Sequence, residues 1–174
     1  MKDLFKTKNL AVMALLIAMN VVLSRFLSIN TMSFKIGFTF LTVMMASYLF
    51  GYAGAVVVAG LGDVVGALLF PTGPFFPGFT LTAVLVALCY GVFINKKTNL
   101  LKISVAVILS EFLGSGLINT FWISYMYGSD FNALFVTRLT TQILPMIAVQ
   151  IVTAQLIFGK SMLAARIAGM IRKS

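Results

Sequence analysis

Residues 52–94, YAGAVVVAGLGDVVGALLFPTGPFFPGFTLTAVLVALCYGVFI, place three of the chain's four prolines, Pro71, Pro74 and Pro77, between two apolar runs. The runs, Tyr52 to Phe70 and Phe79 to Ile94, approach the ~20 residues that a helix needs to cross a hydrocarbon core. Proline lacks an N–H and fixes φ, so a helix stops where prolines crowd together. The stretch therefore reads as helix, rigid loop, helix. If the remainder of the chain repeats the pattern, the fold is a bundle of membrane-crossing helices.

The remainder does repeat it. Of 174 residues, 60% are apolar and the mean hydropathy is +1.05, which excludes a soluble domain with a polar surface. Further runs extend from Asn9 to Phe26, Phe34 to Phe50, Ile103 to Trp122 and Leu139 to Phe158. The expectation is an all-α integral membrane protein, a six-transmembrane-helix bundle forming one membrane domain over 1–174. The second and third spans are divided by Gly51 alone, in YLFGYAGA, and merging them would leave five.

The net charge of +9 reads as topology once the spans alternate sides. Lys2, Lys6, Lys8, Lys96, Lys97, Lys102, Lys160, Arg166, Arg172 and Lys173 fall on one face, against Arg25, Lys35 and Arg138 on the other. This positive-inside bias places both termini in the cytoplasm and argues against nucleic acid as a partner. The basic tail 159–174 is expected to lie as an amphipathic helix on the anionic inner leaflet, with membrane lipid as its partner. The N-terminal run is too long for a signal-peptide h-region and is kept as a span. Cys89, the single cysteine, reads as a packing residue.

Enzymatic readings find no support. The chain has no histidine and four acids, which excludes zinc sites and His-based triads and leaves no paired-carboxylate spacing. AQLIFGKS at 154–161 falls one residue short of a phosphate-cradling loop, with Ala154 in place of its first glycine, and does not follow a strand. No cofactor or metal is expected. Uphill movement of a solute would need an ion gradient or another subunit's ATP.

Polar residues inside the spans point to binding, because each is costly in lipid. Asp63 sits roughly 10 Å below the outer end of its span, among Gly60, Gly62 and Gly66. It reads either as a ligand contact or as a carboxylate satisfied by a helix packed on the Gly62/Gly66 face. Glu111, Ser115, Asn119 and Trp122 share one helical face by spacing. Glu111, the deepest, reads as a structural hydrogen-bonder, Asn119 as a ligand contact, and Trp122 as an interfacial anchor or a stacking surface. Pro145 is expected to kink the last span by freeing the Thr141 carbonyl. Arg25, Lys35 and Arg138 form a cationic outer rim, which either snorkels to headgroups or captures an anionic ligand. Phe75 and Phe76 present aromatic faces from the proline loop, a preorganised lid or an apolar loop dipping into the interface.

Six spans in this length, the ALLIA of the first span with Ala14 and Ala18, the GLGDVVGALLFPTGPFFPGFTLTA block and NTFWISYMYG with VTRLTTQ together resemble the substrate-binding S components of energy-coupling factor vitamin transporters. The likeness is greatest to the folate-specific group. The resemblance implies a high-affinity folate binder in the bacterial cytoplasmic membrane, without ATPase activity, that joins a transmembrane coupling subunit and two ABC-type ATPases and tilts to release the vitamin inward. Under it, Asp63 and Asn119 suit a pterin edge. Phe75, Phe76 or Trp122 suit its rings, and Arg25, Lys35 and Arg138 suit the glutamate carboxylates. Ala14 and Ala18 would offer the groove where the coupling subunit docks. The alternatives are an S component for another vitamin such as riboflavin, or a small ion-coupled carrier using Asp63 and Glu111; the halves show no internal repeat of the kind such carriers carry.

Overall fold

A computed structural model describes residues 6–30, 35–71, 73–94 and 98–158, without the side chains of residues 29, 30 and 35. The basic tail expected at 159–174 lies outside the described residues. The first helix, α1 (Thr7–Arg25), turns Met13, Leu16, Asn20 and Ser24 inward at intervals of three and four, as a 3.6-residue period requires. A minimal antiparallel hairpin follows, β1 (Ile29–Asn30) and β2 (Lys35–Ile36), with Ile29 opposite Ile36. Phe34, where a span was expected to begin, lies outside the described residues; the run is strand at Lys35–Ile36, and helix begins only at Thr39. Hydropathy misplaced that start because Ile36, Phe38 and Phe40 score alike in strand, loop and helix.

The second helix, α2 (Thr39–Leu69), is broken at Gly51, whose φ of 72° and ψ of −164° are non-helical. A side chain is strained at that φ, which is why the break falls on glycine. The Asn20 amide donates to Thr42 Oγ1 at 2.8 Å, and its Oδ1 lies 2.8 Å from where a Cβ on Gly62 would stand. An unbroken helix would separate Thr42 and Gly62 by roughly 30 Å. The arms 39–50 and 52–69 are therefore folded back on each other, with Asn20 between them.

Three more helices follow among the described residues. Helix α3 (Pro77–Phe93) starts with proline at its first turn, where the missing N–H costs nothing. Helix α4 (Leu100–Tyr127) is capped by Asn99, which accepts from the Lys102 N–H, and ends at Gly128 in the left-handed region. Helix α5 (Phe131–Phe158) is capped by Asp130, which accepts from the Asn132 and Ala133 N–H groups. The last span thus begins eight residues before the expected Leu139, and its start carries the cap signature that a hydropathy reading ignores.

Both α4 and α5 contain i→i+5 turns, over Ser110–Ile118 and Leu139–Ile143. The second set lies just ahead of Pro145, where the lost N–H of proline disrupts ordinary helical bonding. Close packing rests on small residues: Ala46, Ala55, Ala87, Ala106 and Ala154 have no exposed surface. A Cβ on Gly91 would stand 2.4 Å from the Tyr52 Cα. Such close approach is what holds helices together where burial against lipid gives little drive. Four of the helices are long and apolar enough to cross a membrane, and α3 is a shorter apolar helix. Their outward faces carry Leu68, Val92, Leu101 and Leu156, all more than 65% exposed, as lipid-facing surface requires.

Candidate ligand cavity

The bundle encloses a cavity of about 650 Å³, within the size range of small-molecule sites. Its mouth is the proline loop, with Pro71, Pro74, Phe75 and Phe76 on the wall. Phe75 is 48% exposed. Phe76 is fixed from behind: its ring meets Trp122 at 5.3 Å and Phe79 at 5.8 Å, both edge to face. Trp122 Nε1 donates to Thr82 Oγ1 at 3.2 Å. Trp122 is therefore not on the cavity wall; it supports the ring that is. The i→i+5 turns ahead of it shift the helical face, which is why the spacing that aligned Glu111, Ser115, Asn119 and Trp122 holds for the first three residues only.

Below the mouth, Arg25 ends α1 beside Gly66, its Nε 3.0 Å from where a Cβ on that glycine would lie. Asp63, one turn deeper on the same arm of α2, accepts from Thr80 Oγ1 at 2.6 Å and lines the cavity. Its carboxylate thus ties α2 to α3 and faces the cavity at once.

The far wall comes from α5. Arg138, expected on the outer rim, is 2% exposed and donates from Nη2 to the Ser115 carbonyl at 3.1 Å. The seven residues of helix that precede it carry it roughly 10 Å into the bundle. Arg138, Gln142, Met146 and Gln150, spaced by four, all line the cavity. Sequence reading missed this row because it started the helix at Leu139 and so cut off its first member.

At the floor, Tyr90 donates its hydroxyl to Gln150 Oε1 at 2.6 Å, and Gln150 Nε2 donates to Glu111 Oε1. Glu111 Oε2 and Asn119 Oδ1 are buried without a hydrogen-bond partner among the described residues. Buried polar atoms are rarely left unmatched, so such acceptors facing a cavity mark where ligand donors belong. Gln150 and Tyr90 were not singled out from sequence; an isolated glutamine in an apolar run was the available signal. Lys35 contributes backbone to β2, and its side chain lies outside the described residues. Ala14 and Ala18 are exposed on α1, opposite its buried face. No cluster of three metal-ligating acids or cysteines occurs among the described residues.

A helical bundle with lipid-facing outer surface around a small-molecule cavity lined by polar and aromatic side chains is the architecture of a solute-binding membrane protein. The model of the family described as "ECF-type riboflavin transporter, S component" matches residues 4–163, and the chain belongs to that family. Among its relatives is the folate transporter FolT of Clostridium novyi, 40% identical over 138 residues that cover 79% of this chain and 80% of that protein. The folate transporter FolT of Leuconostoc mesenteroides is 34% identical over 70% of this chain and 66% of its own length. A crystal structure of FolT bound with folic acid superposes with a TM-score of 0.79 at 37% identity, covering 86% of this chain and 90% of that one. The protein is a transporter component, not an enzyme.

Proposed function

We propose that this chain captures folate outside the cell and delivers it through an ATP-driven partner module. The observation that carries the reading is the composition of the cavity: two guanidiniums, Arg25 and Arg138, share it with buried acceptors and an aromatic wall. A ligand that suits it has carboxylates, ring N–H donors and flat faces together. Folate has all three, whereas riboflavin, the vitamin in the family description, has no carboxylate to meet Arg25. Asp63 and Asn119 offer acceptors to ligand N–H groups. Phe75 and Phe76 stack on the rings with Trp122 behind them, and Arg25 with Lys35 meets the glutamate carboxylates. Arg138 acts from inside the bundle, at the level of Ser115.

The topology that goes with this role has six spans in a single domain, counting the two arms of α2 separately, and both termini on the cytoplasmic side of a bacterial cell membrane. The partners are a transmembrane coupling subunit, docked on the exposed Ala14/Ala18 face, and two ABC-type ATPases. The test is titration of the purified chain, alone and without an ion gradient. Folate should quench Trp122 emission and raise the melting temperature, as any ligand of the folded state does. If riboflavin does so at far lower concentration than folate, the ligand is wrong.

A further inference from the structure

The floor of the cavity carries an acceptor that the roles above leave unused. Glu111 is 8% exposed and lines the cavity. Its Oε1 receives the Gln150 amide, while Oε2 has no partner among the described residues. The Gln150 amide is itself oriented, because the Tyr90 hydroxyl occupies its oxygen and leaves its nitrogen for the carboxylate. Tyr90, Gln150 and Glu111 thus form a directed chain that fixes the carboxylate and leaves its second oxygen open. A carboxylate at this depth is costly unless donors surround it; Ser115 and the Arg138 guanidinium stand near it, yet Oε2 is left without a hydrogen bond among the described residues.

We propose that Glu111 is the specificity-determining residue of the site: its carboxylate accepts an exocyclic amino group and the adjacent ring N–H of a 2-amino-4-oxopyrimidine ring. Two neighbouring donors on a flat edge match the two oxygens of a carboxylate, one on the open Oε2 and one sharing Oε1 with the Gln150 amide through its second lone pair, which makes the pairing bidentate and charge-assisted. The ligand then enters pterin first, which leaves its aminobenzoyl ring to the Phe75 and Phe76 wall. Its anionic tail stays at the loop end with Arg25, because at the floor Glu111 repels a second carboxylate and already partners the Arg138 charge. Gln150 and Tyr90 are positioning residues that act through Glu111. The identity of the ring and its second donor rest on the folate reading above, whereas the demand for a donor at Oε2 rests on the geometry of the floor.

The experiment uses the full chain in detergent, with folate, pterin-6-carboxylate and p-aminobenzoylglutamate each competing against labelled folate. Glu111→Gln should weaken folate and pterin-6-carboxylate by a similar factor, roughly 10- to 100-fold for a lost charge-assisted pair, and leave p-aminobenzoylglutamate unchanged. On the unmodified protein, a folate analogue lacking the 2-amino group should weaken by a comparable factor, an arm that needs no variant to fold. Unchanged folate affinity in Glu111→Gln, full affinity of the desamino analogue, or a loss confined to p-aminobenzoylglutamate would each overturn the assignment. Failure of the unmodified protein to bind folate would instead overturn the proposed function.

Discussion

Replacing Trp122 separates a residue that supports the binding wall from one that merely anchors a helix at the interface. Trp122 holds Phe76 by an edge-to-face contact at 5.3 Å and is held by Thr82 at 3.2 Å. Trp122→Ala removes a ring pair worth about 0.5–1.5 kcal/mol beyond its buried area. Phe76 then has to be ordered at the moment of binding, a cost of about 0.5–1.5 kcal/mol for a freed side chain, or a loss of roughly 2- to 12-fold in affinity. Trp122→Phe keeps the ring pair and loses the indole donor. Thr82 still donates to the Gly78 carbonyl at 3.0 Å, so no donor is stranded. Stability should fall by about 0.5–1.5 kcal/mol, with affinity within about twofold of the parent. Because Trp122 is the chain's single tryptophan, affinity is read by calorimetry or labelled folate and stability by thermal unfolding in detergent. An alanine variant with a lowered melting temperature and unchanged affinity would refute the argument and leave Trp122 as an anchor.

Asp63→Ala should weaken folate binding by about 2–4 kcal/mol if ligand donors are stranded in a dry site; unchanged affinity by calorimetry would leave the carboxylate as the Thr80 tie alone. Ala14→Trp combined with Ala18→Trp should leave vitamin binding by the isolated chain intact while abolishing co-purification with the ATPase module and uptake by cells. Parallel loss of binding would show that the face is needed internally. Gly91→Ala should destabilise the fold by about 1–3 kcal/mol in denaturant or thermal unfolding, because the added methyl meets the Tyr52 backbone, which cannot rotate away. An unaffected melting temperature would mean that the arms of α2 shift freely against α3.

Helix existence was legible because apolar runs and prolines act locally. The proline loop, the break at Gly51 and the inward placement of Asp63 and Asn119 all followed from residues read one stretch at a time. Helix ends were not legible by hydropathy: Asp130 and Gly128 mark them by backbone chemistry, and missing Asp130 put Arg138 on a rim it does not occupy. The Tyr90–Gln150–Glu111 chain was out of reach for another reason. Its members come from three helices, 60 and 39 residues apart in the bonded pairs, and nothing in one sequence pairs them. The i→i+5 turns of α4 equally could not be foreseen from spacing, so Trp122 was aligned with a face it leaves.

The turn at Gly51 bears on how the protein is made. From Ile36 to Gly62 no charged residue interrupts the chain, so the biosynthetic insertion machinery meets one continuous greasy segment with no electrostatic mark at its midpoint. Whether that segment enters as a single long rod or doubles over is left to one backbone torsion. A substitution at Gly51 has open space around it and would disturb few finished contacts. Besides the strain of a side chain at that φ, which lowers the melting temperature, damage would come earlier, as misrouted chains in which everything after residue 51 faces the wrong way, and would register as lost yield.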